Sequence, residues 1–247
     1  MQTPPLDAWN ISASLKALTG GHRNLAFKTS GLRRDLVFKT TRRSESAIAW
    51  LAPVHRAAIA AGLRAPEHIP STRGRLIESG WTCEPFIEGR AAPPEALYAL
   101  WPAMNALHQS LGALPQRPGF LSSRALLSVE TGGDIDLRAM PAKLRHLCRE
   151  AWSAPAQGAE TVIHGDLNAS NLLVCEDGRL ALLDWDECRR DHAFFDLGLL
   201  KPLGPSEAQA ILAWEVACSW RLEPQRAKAL ATRLTARAAH KREGDQP

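Results

Sequence analysis

His164-Gly165-Asp166-Leu167-Asn168-Ala169-Ser170-Asn171, followed downstream by Asp184-Trp185-Asp186, is the stretch that decides the fold of this 247-residue chain. One Asp stands five positions before an Asn, and a second Asp stands thirteen positions after that Asn. Moving a phosphoryl group through a loose transition state needs little covalent help. It needs a base to aim the acceptor hydroxyl and oxygen ligands to hold Mg2+ against the phosphates. Asp166 is the candidate base, and Asn171 and Asp184 offer the neutral and anionic oxygens that a hard cation prefers. Residues 172–183 read as a β-hairpin with a tight primed turn at Asp177-Gly178, which would return Asp184 beside Asn171. His, Gly, Asp and Asn are also ordinary loop residues. Four specified residues at fixed offsets nevertheless arise by chance in on the order of one in a thousand chains of this size.

On these residues, the stretch from Val162 to Gly198 resembles the aminoglycoside phosphotransferase and choline kinase superfamily. That superfamily's catalytic loop reads His-Gly-Asp with an Asn five beyond the Asp, and its metal Asp often opens an Asp-Trp-Asp run. The resemblance implies Asp166 as catalytic base, Asn171 and Asp184 as metal ligands, and ATP and Mg2+ as cofactors. It also implies an α+β, bilobal protein-kinase-like fold with a small β-rich N-terminal lobe and a mainly helical C-terminal lobe. We place the lobes at residues 1–89 and 90–247, where Arg90-Ala91-Ala92-Pro93-Pro94 punctuates the chain. Gly165 departs from protein kinases, which carry Arg there to grip a phosphorylated activation loop. No Ala-Pro-Glu follows Asp184. Both features favour a small-molecule acceptor over a protein. Asp186 reads either as an outer or acceptor-side carboxylate or as an exposed strand-end charge.

Composition narrows the remaining classes. A hydrophobic content of 45% with 23% charged residues is that of a soluble globular chain. The net charge of +4 is mild, and the cations are scattered without aromatic interleaving, so no nucleic-acid partner is expected. Five cysteines in no Cys-x-x-Cys pattern indicate neither a disulfide framework nor a zinc site. Without a signal pattern or an apolar run of about 18 residues, the expectation is a cytoplasmic protein with no membrane partner.

In the N-terminal part, residues 12–18 carry a short helical pattern. Beyond them, Leu25–Thr29 and Asp35–Thr40 read as a strand pair. Gly20 and Gly21 suit a plain turn, or a loop whose amides approach a phosphate closely. Ahead of this hairpin they resemble the superfamily's Gly-Gly-x-x-Asn nucleotide loop. Lys39 shares a strand face with Val37 and matches the Val-x-Lys strand whose Lys holds the α- and β-phosphates, with Lys28 as the alternative. A helix over 44–61, capped by Ser44, lines up Ile48, Leu51, His55 and Ile59. Glu45 is the sole helical acid available to orient Lys39, and it equally suits a dipole-complementing role. Residues 75–78 and 81–89 read as a further strand pair about Ser79-Gly80. By resemblance, backbone groups from Glu84 to Phe86 would meet adenine.

In the C-terminal part, Leu97, Leu100, Met104, Leu107 and Leu111 mark a core helix, with His108 as a packed or capping residue. A helix over 140–152 and a strand over 161–164 lead to the catalytic loop, which His164 braces. Helices from about His192, Ser206 and Pro224 finish the chain. Asp196 reads as a structural hydrogen-bonding residue; Trp214 and Trp220 read either as facing an acceptor or, as helical spacing more often means for tryptophan, as core. From Leu199 to Pro247 there are five acids against eight bases, an unfavourable lining for a polycationic aminoglycoside. Asp186, Glu187 and Asp191 would suit one ammonium. The expectation is an ATP- and Mg-dependent phosphotransferase acting on a hydroxyl of an amino alcohol, amino acid, sugar or related metabolite. The alternatives are a nucleotide-binding regulatory or adaptor protein and a kinase acting on protein.

Overall fold

A computed structural model of the chain describes residues 3–18, 24–155, 159–198 and 200–244. In chain order it forms strands β1 (Ser14–Leu18), β2 (Ala26–Ser30) and β3 (Leu36–Thr40), then helices α1 (Glu45–Ala49) and α2 (Leu51–Ala60). Strands β4 (Trp81–Pro85) and β5 (Arg90–Ala91) precede α3 (Trp101–Ser110), which follows a 3-10 stretch at Pro94–Leu100. A small hairpin, β6 (Thr131–Gly132) with β7 (Ile135–Asp136), leads to α4 (Ala142–Ser153) and β8 (Glu160–Ile163). After β9 (Leu172–Val174), β10 (Leu180–Leu182) and β11 (Arg189–His192) come α5 (Phe194–Leu197), α6 (Pro205–Ser219) and α7 (Pro224–Gly244).

These elements divide into two compact units, and the division is not a single cut at residue 89. One unit holds residues 1–107 with 168–185, and the other holds 108–167 with 186–247. The β9–β10 hairpin joins the first because β9 pairs β5, and because the Arg64 amide donates to Leu180 O while Arg64 O accepts from Leu182.

In the first unit, β1-β2-β3-β4 form an antiparallel sheet in that order. The two-residue period sends Phe27, Phe38, Trp81 and Cys83 to one face, where they bury with Trp9. Residues 12–18 are not helical. Seven residues cannot recover the cost of a helical nucleus in isolation, whereas Ser14–Leu18 gains a full ladder along β2. The helix expected over 44–61 is present with its cap, Ala47 N–H donating to Ser44 Oγ at 3.2 Å, but it breaks at Trp50. Pro53 has no N–H to offer the Ala49 carbonyl four residues back. Ile48, Leu51 and His55 are buried as expected, with Val54 and Ala58, but Ile59 is exposed. The 75–78 strand does not form, although the turn about Ser79-Gly80 does, through reciprocal Glu78 and Trp81 backbone bonds. Side chains take the donors of that segment: Arg75 N–H goes to Ser71 Oγ and Leu76 N–H to Glu45. The 172–183 hairpin forms, but Asp177 does not enter the left-handed region, so the turn is not primed. Gly178 alone does, at φ +78°, with its N–H on Cys175 O. This is the turn-plus-bulge form of a three-residue loop.

In the second unit, α4, α6 and α7 pack around Leu126, Leu137, Trp152, Trp214 and Leu234. Leu97, Leu100, Met104 and Leu107 of the first unit and Leu111 of the second are buried, as their spacing predicts. All five cysteines are buried free thiols.

Candidate active site

Strand β8 pairs antiparallel with β11, setting Ile163 opposite Arg189. The chain leaves β8 directly into His164-Gly165-Asp166. Asp196, fully buried on the one-turn α5, holds this exit: the His164 amide donates to its Oδ2 at 2.8 Å and the Gly165 amide to its Oδ1 at 2.9 Å. His108 Nε2 bonds the same Oδ2 at 3.0 Å, and the Thr161 hydroxyl donates to His108 O. Burial alone would raise the Asp196 carboxyl. The His108 hydrogen bond, the charges of His108 and His164 and the Gly165 amide outweigh it and hold the group below the usual carboxylate range. His164 braces the loop as expected, its Nδ1 accepting the Asp166 amide at 3.3 Å. Gly165 has φ +86°, and a Cβ there would lie 2.5 Å from Glu187 O and 2.8 Å from an Arg189 nitrogen. No side chain fits at that position. The Asp166 side chain is exposed.

In the other unit, Asn168 caps the short 169–171 turn, its Oδ1 accepting from the amides of Ser170 and Asn171 and from the Ser170 hydroxyl. Asn171 sits where this turn enters β9. The β9–β10 register continues past Leu172↔Leu182 so that the Leu183 amide donates to Asn171 O at 2.8 Å. Asn171 and Asp184 therefore stand on neighbouring strand ends. Asp184 is exposed and adopts φ +59°, a left-handed conformation that Asp tolerates better than most residues. Trp185 fixes the following position, with its ring N–H on Leu182 O at 2.8 Å and its ring edge-on to His55 at 5.3 Å. Oxygen donors from Asn171 and Asp184 suit a hard divalent cation.

Lys39 lies on the sheet face away from the aromatic core. Its Nζ pairs with Glu84 Oε1 at 2.6 Å, Glu84 being opposite Val37 and so diagonal to Lys39 across β3–β4. Glu45, the partner considered from the sequence, instead accepts the Leu76 amide at 2.7 Å and pairs with Arg75 at 3.5 Å. Lys28 is opposite Val37 from the other side and shares this face with Lys39, so facing alone does not separate the two lysines. What separates them is their company. Lys28 pairs with Asp35 at 3.3 Å and sits 3.7 Å over the Phe86 ring. The Phe86 amide is spent on Asp35 O, and the Thr41 amide on Gly80 O in the same ladder. Alternation then turns Glu84's backbone inward as well, leaving the Pro85 carbonyl directed out from β4, the sheet's edge. Gly20 and Gly21 lie outside the described residues.

Sequence reading missed three further residues around the loop. Arg117, 1% exposed between two prolines, donates to the carbonyls of Asp186 and Cys188 at 2.8 and 3.0 Å. Arg189 is fully buried, paired with Asp191 at 3.0 Å and stacked 3.5 Å over Trp214. Asp134, from the β6–β7 turn, brings a carboxylate oxygen within 4.8 Å of Glu187 and of Cys218. Asp191 is occupied by Arg189, by the Ser123 amide and hydroxyl, and by the His192 amide, so it is not placed to receive an ammonium. Nothing in local periodicity marks these residues.

Residues 14–241 match the phosphotransferase enzyme family. The chain belongs to that family. Its members transfer phosphoryl groups to hydroxyl acceptors, and this member has their kinase-like α+β fold. The structure is similar to that of a thermostable mutant of aminoglycoside phosphotransferase APH(4)-Ia, with TM-score 0.65, 14% identity and 98% of each chain covered. It is also similar to choline kinase LicA from Streptococcus pneumoniae, with TM-score 0.60, 14% identity and coverage of 93% of this chain and 95% of that one. Macrolide 2'-phosphotransferase MphH from Brachybacterium faecium gives TM-score 0.52 and 15% identity, with the same coverage. No curated protein sequence matches the chain. Among the described residues, no helix is long and apolar enough to cross a membrane.

Proposed function

We propose that this phosphotransferase uses ATP and Mg2+ to phosphorylate a hydroxyl of a small molecule. The observation that carries the reading is the loop itself. Asp166 follows a backbone clamped by Asp196, and the same chain continues into Asn171 and Asp184 on adjoining strand ends. Asp166 accepts and aims the acceptor hydroxyl, a task typically worth about 10² to 10⁴ in rate. Asn171 and Asp184 hold the magnesium ion, which supplies charge neutralisation at the phosphates when bound. Lys39, oriented by Glu84 in the role considered for Glu45, grips the α- and β-phosphates. Within the backbone from Glu84 to Phe86, the outward Pro85 carbonyl is the group that meets adenine. Neighbouring structures hold AMP-PNP with hygromycin B, and ADP with spectinomycin, which supports a nucleotide and a small acceptor as the two ligands.

The test is ADP release by the purified protein across amino alcohols, amino acids, sugars and aminoglycosides, with wild type against Asp166→Asn. Acceptor-dependent turnover should fall several hundredfold in the variant while ATP binding persists. Turnover near the wild-type level would remove Asp166 from the reaction. Absence of turnover with every acceptor would favour a nucleotide-binding regulatory protein instead.

A further inference from the structure

The β6–β7 hairpin forms one wall of a cavity of about 340 Å³, lined also by Gly119, Arg138 and Arg221. That volume suits a small metabolite. The wall is seated by what its glycines lack. A Cβ on Gly132 would lie 2.5 Å from the Leu121 side chain, Gly133 has φ +59° with the Phe120 ring 3.1 Å from its missing Cβ, and the Gly133 amide donates to Gly119 O at 2.6 Å. Asp134, which follows directly, is therefore presented from a packed turn and not from a free loop.

Charge is distributed unevenly in this cavity. Asp134 stands beside Glu187 and Cys218, whose thiol donates to Glu187 Oε1 at 3.3 Å. The Glu187 carbonyl in turn lies against Gly165, the residue before Asp166. Asp134 thus brings the cavity lining beside Glu187, whose backbone adjoins the catalytic loop. Elsewhere in the lining, Arg138 Nε and Arg221 Nη1 both pair with Asp136, at 3.0 and 3.3 Å. One carboxylate between two guanidiniums leaves a surplus positive charge, and both arginines are more than half exposed, with donors to spare. Arg221 follows Cys218 by three residues, just past the end of α6 at Ser219. A neutral sugar would leave both kinds of charge unmatched, and a polycation would meet two guanidiniums. A ligand carrying one ammonium and one carboxylate complements both.

We propose that this cavity receives the acceptor and that the acceptor is a small hydroxy amino acid, its ammonium held by Asp134, which Glu187 adjoins, and its carboxylate by Arg138 and Arg221. The assignment rests on the phosphotransferase reading above and narrows it to one substrate class.

The test uses the full-length protein and three matched probes: L-homoserine, its decarboxylated counterpart 3-aminopropan-1-ol and its deaminated counterpart 4-hydroxybutanoate. Binding is followed by calorimetry and turnover by ADP release. L-homoserine should bind, and its kcat/KM should exceed that of either counterpart by about tenfold or more, as expected of a site built to pair both charges. Arg221→Gln should erode its advantage over the amino alcohol, and Asp134→Asn its advantage over the hydroxy acid. Both positions lie off the buried core, so unchanged melting temperatures would show that the variants remain folded. Equal use of the amino alcohol, an advantage untouched by either variant, or no L-homoserine binding would overturn the proposal. ADP release with choline or a sugar but not with L-homoserine would overturn it while leaving the phosphotransferase reading standing. L-homoserine binding without ADP release from any acceptor would keep the cavity's ligand and remove the reaction.

Discussion

Alanine at Gly165 would place a methyl carbon 2.5 Å from the Glu187 carbonyl, on a backbone whose φ of +86° disfavours any side chain. The left-handed conformation alone costs roughly 1–2 kcal/mol, and the clash adds to it. Gly165→Ala should therefore lower unfolding stability by about 2 kcal/mol or more and cut kcat, because Asp166 is the next residue. A urea titration showing under about 1 kcal/mol lost, with kcat intact, would mean that the loop shifts without consequence. Asp196 is the other decisive single residue. Its carboxyl is held low in the folded protein, so its contribution to stability is full above the unfolded value of about 4 and disappears as pH falls through the folded value. Asp196→Asn should lose stability at neutral pH by an amount typical of a charged hydrogen-bond acceptor, about 1.5–3 kcal/mol. The gap between wild type and variant should stay constant above about pH 5 and narrow below about pH 4. A gap that widens on acidification would contradict the charge assignment. The sequence marks Asp196 as a hydrogen-bonding residue. That its partners are His108 and two loop amides depends on packing 31 to 88 residues away.

At the level of the strand, the front face of β2–β4 collects Lys28, Lys39 and Glu84, and their partners decide their roles. Lys39→Ala should weaken ATP binding or slow transfer by an order of magnitude or more, and Glu84→Gln should do so to a lesser degree by leaving Lys39 less well oriented. Lys28→Ala loses an ion pair with Asp35 and a contact with Phe86 and should cost stability of about 1 kcal/mol or less, with little effect on KM for ATP. Nucleotide titrations of the three variants check this ranking; a larger ATP defect in Lys28→Ala than in Lys39→Ala would reverse it. The strands themselves follow from two-residue alternation, and the helix start from Ser44. The pairing of Lys39 follows from neither, because Glu84 reaches it only through the β3–β4 register, across 45 positions of chain. Glu45 is closer in sequence but is drawn to Arg75 and Leu76.

For the whole molecule, MgATP should raise the melting temperature by several degrees through mass action on the native state, and Asp184→Ala should remove most of the metal-dependent part. An undiminished shift in the variant would move the metal elsewhere. Burial pushes the thiols of Cys83, Cys148 and Cys188 up to about 12, so they should resist a thiolate-directed reagent until the chain unfolds. Rapid labelling of any of the three in the native protein, read by mass spectrometry, would count against the core. Raised folded values also mean stability that is full below the unfolded thiol value of about 8.5 and lost as pH climbs toward 12. The spacing of Asp166, Asn171 and Asp184, the β2–β3 and β9–β10 hairpins and the apolar helix faces were determined by the sequence itself, because each depends on offsets within one or two elements, where backbone period dictates direction. The Glu84–Lys39 pair, the Asp196 clamp, the burial of Arg189 with Asp191, the division that places residues 168–185 with the first unit, and the meeting of Asp134 with Glu187 were decided only by the tertiary structure. Each sets several chemically equivalent partners in competition, and strand register and side-chain packing between distant segments select among them by margins of about 1 kcal/mol, which no local pattern encodes.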